Sequence, residues 1–136
     1  MLIIPRIYLY TWLVFFLSIV TISSSFCQPA GPKFQFEKKT IKYEKVKAGE
    51  ILNFNYIFEN TGDQPLIINN IKVTCGCTKP EWPKEPVKPG QKGTIRIKFN
   101  TKGKIGWQDH ILEVYSNENN SPTKLRFKGM VDNKEK

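Results

Sequence analysis

Large hydrophobic and polar residues alternate along much of this chain after its N-terminal segment. In the clearest stretch, 52–58, every second residue is large and apolar: Leu52, Phe54, Tyr56 and Phe58. Side chains two residues apart share one face of a β-strand, so the stretch predicts a strand with one buried face and Phe54 in the core. Asn60-Thr61-Gly62-Asp63 follows, and its Asn and Gly favour a turn that ends the strand.

Similar runs predict the other strands. They are Leu66 to Val73, Ile95 to Phe99, Ile111 to Tyr115 and Leu125 to Val131, with two short strands between Phe34 and Val46. Leu112 and Val114 are the expected inward positions of the run that begins at Ile111. No stretch keeps a helical period for long. About seven short strands separated by turn residues predict an all-β fold, a sandwich of two sheets.

The N-terminus has the pattern of a secretory signal peptide. Arg6 precedes an almost unbroken apolar run from Ile7 to Ile22, and Ser25 and Cys27 are small residues ahead of a cleavage site before Gln28. We therefore predict an exported protein, periplasmic or extracellular. Its parts are a signal peptide at 1–27, a short linker at 28–33, the sandwich domain at 34–131 and a solvated tail at 132–136.

Two alternatives concern the same segment. The first is a retained membrane anchor, although the apolar run is shorter than the roughly 20 residues of a membrane-spanning helix. The second is acylation of Cys27, although Phe26 stands where a lipoprotein site has a small residue. Cleavage before Gln28 would leave no stable membrane span in the exported chain.

Charge narrows the classes of partner. Cleavage would remove only Arg6 among the charged residues, which leaves 20 basic and 12 acidic side chains and a net charge of +8. The basic residues are spread along the sequence, as on an ordinary solvated surface, but they also fit an anionic polymer or lipid surface of the cell envelope. Export and the absence of a recognition motif argue against nucleic acid.

The segment from Thr78 to Gly93 has no strand pattern. Pro80, Pro83, Pro86 and Pro89 recur at every third position, which is the period of a polyproline II helix. This predicts a stiff connection between the sheets, with Trp82 covering an edge of the sandwich. The alternative is an exposed platform in which Trp82 contacts a partner, since long connections often carry function.

Hydrolytic catalysis has little support in the sequence. His110 is the only histidine and lies within a strand pattern, where a partly exposed surface residue is expected. Neither a phosphate-binding glycine loop nor a pair of carboxylates stands out. We therefore predict that the chain is not an enzyme and has no catalytic residue.

Cys75-Gly76-Cys77-Thr78 is the one place where the sequence offers chemistry. In an extended strand, residues i and i+2 have Cα atoms about 6.6 Å apart, at the upper end of the range for a disulfide. A disulfide therefore needs a bend, which Gly76 permits because glycine can adopt positive φ. Three interpretations stay open: a structural pair, oxidised or as two small buried thiols, a pair of thiolates that binds Cu(I), or a thiol redox pair.

Several segments together resemble a known family. They are Phe54 to Ile68, Cys75 to Trp82, Pro89 to Ile97, Ser116-Asn117 and Leu125 to Val131. Over roughly Phe36 to Val131 the chain resembles the bacterial family called domain of unknown function 1573, common in secreted proteins of the Bacteroidetes. The resemblance implies an immunoglobulin-like β-sandwich, similar in kind to major sperm protein domains, and carries over no catalytic residue.

Two functional hypotheses follow. The first is an exported, non-enzymatic β-sandwich module that binds an envelope protein or an anionic polymer, or has a structural role, in the cell envelope. The second is a thiol site built on Cys75 and Cys77, which would bind Cu(I) or take part in thiol redox chemistry.

Overall fold

The computed structural model describes residues 29–132, which contain strands and loops and no helix. The strands are β1 (Phe34–Phe36), β2 (Thr40–Lys42), β3 (Val46–Lys47), β4 (Ile51–Asn60), β5 (Ile68–Val73), β6 (Thr78–Glu81), β7 (Lys92–Asn100), β8 (Gly106–Ser116) and β9 (Thr123–Asp132). The predicted signal peptide, with Cys27, lies outside the described residues, as do residues 133–136 of the predicted tail.

The strands form two sheets. In sheet A the order is β1-β4-β7-β6, and neighbouring strands are antiparallel. In sheet B the order is β2-β9-β8-β5, and β3 also pairs with β9. β2 and β3 run parallel to β9, whereas β8 is antiparallel to both of its neighbours. The predicted all-β sandwich is confirmed, with additional short strands at the edges.

The core lies between the sheets and follows the alternation in the sequence. Phe54, Leu112 and Val114 are buried as predicted. The Tyr56 hydroxyl donates a 2.8 Å hydrogen bond to the Arg126 carbonyl and so links β4 of sheet A to β9 of sheet B. Burial raises the pKa of Tyr56. The phenol therefore stays protonated and keeps its donor at any ordinary pH.

One prediction about the strands was wrong. The segment from Thr78 to Gly93 was expected to contain no strand, but Thr78–Glu81 forms β6 at the edge of sheet A, where Pro80 lies opposite Ile97. An edge strand tolerates proline because one of its sides needs no backbone donor. Later in the segment, Leu66 and Val87 exchange backbone hydrogen bonds of 2.9 Å as an isolated bridge. Four residues including a proline are too few for the alternation to be recognised.

Candidate functional site

The Cys75–Cys77 pair lies where the chain crosses from one sheet to the other. β5 ends at Val73 in sheet B, and β6 begins at Thr78 in sheet A. Between them, the Thr78 N–H donates to the Cys75 carbonyl at 3.1 Å and closes a tight turn. The turn brings the Cα atoms of Cys75 and Cys77 to 5.2 Å, and their sulfur atoms lie at bonding distance, as in a disulfide. The bend does not use a positive φ at Gly76.

The sulfur of Cys75 has two donors beside it. The backbone N–H of Cys77 points at Cys75 Sγ over 3.2 Å, and the ammonium group of Lys104 lies 3.7 Å from the same atom. Lys104 belongs to the loop between β7 and β8 and is distant from Cys75 in sequence. No pattern in the sequence links the two residues, so sequence reasoning missed this contact. The arrangement would stabilise negative charge on Cys75 Sγ.

Cys77 also borders a groove. The groove has a volume of about 260 Å³ and is lined by Ile51, Gly76, Cys77, Lys79, Lys98 and Asn100. The Asn100 N–H donates to the Cys77 carbonyl at 2.9 Å, which ties the turn to the end of β7. Ile51, at the start of β4, leaves 63% of its surface exposed. A reactant could therefore approach Cys77 through a groove that carries both apolar and basic side chains.

Large apolar side chains are exposed near the same end of the sandwich. Trp107 of β8 is 61% exposed and lies directly opposite Met130 of β9, which is 39% exposed. Ile105, two residues before Trp107, is 63% exposed. We call Ile105, Trp107 and Met130 the Trp107 patch. Sequence reasoning missed it because the fourth strand pattern was recognised only from Ile111 onward.

Trp82 directly follows the end of β6. Its ring packs against the core, and its indole N–H donates to the Ile68 carbonyl of sheet B at 3.2 Å. The ammonium group of Lys84 lies 3.3 Å from the centre of the indole ring, a cation–π contact. Trp82 thus spans the gap between the sheets. A contact of Trp82 with a partner stays a prediction.

His110 lies on the inner face of β8 and is half-buried. Its ring stacks on Phe127 and packs against Phe99, with centroid distances of 5.0 and 4.9 Å. Desolvation lowers the pKa of His110, nearby Lys104 lowers it further, and Asp109 partly opposes the shift. The half-buried position agrees with the expected partial exposure, and the ring also packs against the phenylalanines of the core.

Metal-binding groups do not gather in the part of the chain that the structure describes. Within 29–132, no three His, Cys, Asp or Glu side chains come close enough to hold an ion together. Cys75 and Cys77 would have to bind Cu(I) as a reduced pair, and this stays a prediction. None of the described residues forms a helix long and apolar enough to cross a membrane.

Comparison with known proteins identifies the family. The model of the family described as "Protein of unknown function (DUF1573)" matches residues 34–131, and the chain belongs to this family. The resemblance in the sequence is thereby confirmed. Comparison with curated proteins gives no match.

Several solved structures share the fold. A protein of unknown function from Porphyromonas gingivalis W83 aligns with a TM-score of 0.67 and 13% identity over 76% of this chain and 50% of that one, so this chain spans half its length. The ASH/PapD-like domain 7 of human CEP192 aligns with a TM-score of 0.63 and 13% identity, over 79% of this chain and 91% of that one. The VesB protease of Vibrio cholerae aligns with a TM-score of 0.56 and 6% identity, over 74% of this chain and 31% of that one. At these identities the likeness shows the fold alone, an immunoglobulin-like sandwich.

Proposed function

We propose that this chain is an exported, non-enzymatic β-sandwich module that binds another protein of the cell envelope through the Trp107 patch. The observation that carries the proposal is the pairing of Trp107 with Met130 on the outer face of sheet B. Isolated exposed hydrophobic residues are common on soluble proteins. A tryptophan and a methionine side by side on a sheet face, with a third apolar residue close in sequence, are a less common arrangement. Both residue types are enriched in protein interfaces.

Charged side chains lie beside the Trp107 patch. Arg126 forms a two-pronged ion pair with Asp109, which follows Trp107 on the same face of β8. Lys128 lies opposite Asp109 on β9. Basic side chains beside an apolar centre match the usual anatomy of an interface, in which charged groups surround a hydrophobic core.

The outer face of sheet A is a weaker candidate. It carries Lys92, Arg96 and Lys98 on β7, which would suit an anionic polymer. Two of these are engaged, because Lys98 pairs with Glu81 at 2.9 Å and Lys92 pairs with Glu37 at 3.4 Å. Such exposed pairs are typical of a solvated surface and contribute little to stability.

Export and the lack of catalysis are supported by the site itself. Two cysteines at disulfide distance suit an oxidising compartment outside the cytoplasm. His110 is packed among phenylalanine rings, and Asp109 is bound to Arg126, so neither is arranged as a general base beside a nucleophile. The packing of His110 and the pairing of Asp109 both favour a binding module over a hydrolase.

The test compares capture of envelope proteins by three immobilised forms of the exported protein. The double variant Trp107→Thr/Met130→Thr removes the apolar pair and keeps strand propensity. Ile57→Thr is the matched control, since Ile57 is exposed on the outer face of sheet A. We expect one partner to be retained by the unmodified protein and by Ile57→Thr, and lost by the double variant.

Two results would contradict the proposal. One is equal retention of the partner by all three forms. The other is binding that the double substitution leaves unchanged and that disappears as the salt concentration is raised. Such binding is the behaviour of an anionic polymer held by dispersed charge.

A further inference from the structure

We propose that Cys75–Cys77 is a redox-active disulfide that exchanges electrons with the dithiol of a partner protein, with Cys77 as the attacked sulfur and Cys75 as the leaving group. The proposal does not depend on the Trp107 patch. It rests on the different surroundings of the two sulfur atoms at the crossing between the sheets.

The surroundings of Cys75 favour its role as the leaving group. When a disulfide is attacked, the departing sulfur takes the electron pair of the S–S bond, and exchange is faster when that sulfur is a better leaving group. Lys104 Nζ, at 3.7 Å, and the Cys77 N–H, at 3.2 Å, both face Cys75 Sγ. A cation and a backbone donor stabilise a thiolate. Cys75 is therefore a good leaving group.

Cys77 has different surroundings. Of the two cysteines, Cys77 lines the 260 Å³ groove, and it also packs partly against the core. The partner thiolate would reach Cys77 from this groove. Lys79 and Lys98 border the same groove. Lys98 is paired with Glu81, so the positive charge of Lys79 is the one that favours the approach of an anionic thiolate. Ile51, exposed at the groove, provides apolar surface for the residues that flank a partner's cysteine.

The exchange conserves atoms and electrons. A partner thiolate attacks Cys77 Sγ, a mixed disulfide forms, the Cys75–Cys77 bond breaks, and Cys75 leaves as a thiolate beside Lys104. The partner's second thiolate then attacks the partner sulfur of the mixed disulfide, and Cys77 leaves in turn. Two electrons pass to this chain, the partner dithiol becomes a disulfide, and the protons given up by the partner thiols are balanced by those that Cys75 and Cys77 take up from water. The reverse sequence oxidises Cys75 and Cys77 again.

A purely structural role would gain little from this pair. The bond joins residues two positions apart, so the loop it closes is very short. In the chain-entropy model, a short loop constrains little of the unfolded chain. The hydrogen bonds of the turn and of Asn100 already hold the crossing in place.

The test measures native-state reduction by dithiothreitol, with free thiols blocked at intervals and counted by intact mass. We expect a rate proportional to the dithiothreitol concentration and a reduced protein that keeps its circular dichroism spectrum. Lys104→Met should slow reduction by about two- to fivefold, the value of a charge interaction near the protein surface. Lys102→Met, an exposed lysine of the same loop, should leave the rate unchanged, and Lys104→Arg should restore most of it.

Several outcomes would overturn the proposal. A rate independent of dithiothreitol concentration would mean that the bond is reduced only after unfolding. Equal rates for Lys104→Met and Lys102→Met would remove the role of Lys104. A second measurement uses the unmodified protein, in which glutathione is added, the reaction is quenched with acid, and the mixed disulfide is located by mass spectrometry. We expect it on Cys77, and a mixed disulfide predominantly on Cys75 would reverse the assigned roles.

Discussion

At the scale of single residues, buried polar groups fix parts of the structure that the alternation of hydrophobic residues does not predict. Asn60 is fully buried, and its amide nitrogen donates to the carbonyls of Gln64 and Val87 at 2.7 and 2.9 Å. Its amide oxygen accepts from the N–H groups of Gly62 and Lys33. The sequence identified Asn60 only as part of a turn. The four bonds show that it holds three loops against the end of β4.

Asn60→Ala should lower the free energy of unfolding by about 3 kcal/mol, because it leaves several backbone groups without their partner in a buried place. Chemical denaturation measures the change. Asn55→Ala is the control, since Asn55 is exposed on the same strand, and it should alter stability by less than about 0.5 kcal/mol. Similar losses in the two variants would show that the hydrogen bonds of Asn60 contribute nothing special.

His110 gives a prediction about pH. Its pKa in the folded chain lies below the ordinary value of 6.5, mainly because the ring is desolvated. Between the two values the unfolded chain binds more protons than the folded chain, so stability rises with pH in that window. The contribution is complete above about pH 6.5 and is lost as the pH falls through the folded pKa.

His110→Phe should therefore reduce the fall in unfolding free energy between pH 7.5 and pH 5, because phenylalanine keeps the contacts with Phe99 and Phe127 and cannot be protonated. Urea denaturation at both pH values measures this. The lowered pKa of Glu81 is common to both proteins, and the pKa of Asp109 is held down mainly by Arg126, which the variant keeps, so the difference reports chiefly on His110. An unchanged pH dependence in the variant would refute the assignment.

At the scale of strands, the sequence predicted the elements whose buried face is continuously apolar. β4 and β7 alternate cleanly, and both were located. β8 begins at Gly106, five positions before the recognised pattern, because its inner face carries Gln108 and His110 there. The missing apolar signal hid the strand and, with it, the outward position of Trp107.

The pairing of the short strands could not be predicted from the sequence, for a different reason. β2 and β3 are very short and run parallel to β9, which lies at the other end of the chain. Their place depends on close fits such as Gly129, where a Cβ atom would collide with the ring and carbonyl of Tyr43. The contact of Lys104 with Cys75 is likewise a product of two loops meeting at one end of the sandwich.

Phe54→Ala tests the central strand. Phe54 is buried, and its ring lies 5.0 Å from Phe127 in the opposite sheet and 5.6 Å from Tyr43. Removing the ring leaves a cavity between the sheets and should cost about 3–5 kcal/mol in chemical denaturation. Ile57→Ala, on the outward face of β4, should cost far less. A change below about 0.5 kcal/mol for Phe54→Ala would contradict its place in the core.

The crossing between β5 and β6 should behave as a pair of cysteines rather than as two independent residues. Either single serine variant leaves one unpaired thiol, open to intermolecular disulfides and oxidation. Cys75→Ser/Cys77→Ser removes that hazard and should stay folded, at a cost of no more than about 2 kcal/mol. Denaturation and non-reducing electrophoresis of the three variants give the answer. Equal stability and equal dimer content in all of them would refute the pairing.

At the scale of the whole molecule, the fold separates the roles of its parts. The interior between the sheets is filled with aromatic and aliphatic side chains, and the outer faces are mostly charged or polar. The disulfide turn, the groove and the Trp107 patch lie toward one end, where the loops before β4, β6 and β8 meet. The sheets hold the backbone of these loops in place. Loops positioned by a rigid scaffold commonly carry binding residues.

The number of cysteines agrees with the predicted export. Cys75 and Cys77 satisfy each other in the fold, which leaves Cys27 as the odd cysteine of the sequence. An odd thiol in an oxidising compartment invites intermolecular pairing, and cleavage before Gln28 would remove it together with the apolar segment. We therefore expect the exported protein to begin at Gln28, to contain 109 residues and to carry no free thiol when purified without reductant. Intact mass and a thiol count decide the matter: a chain that starts at Met1, or one acylated at Cys27, would contradict the prediction.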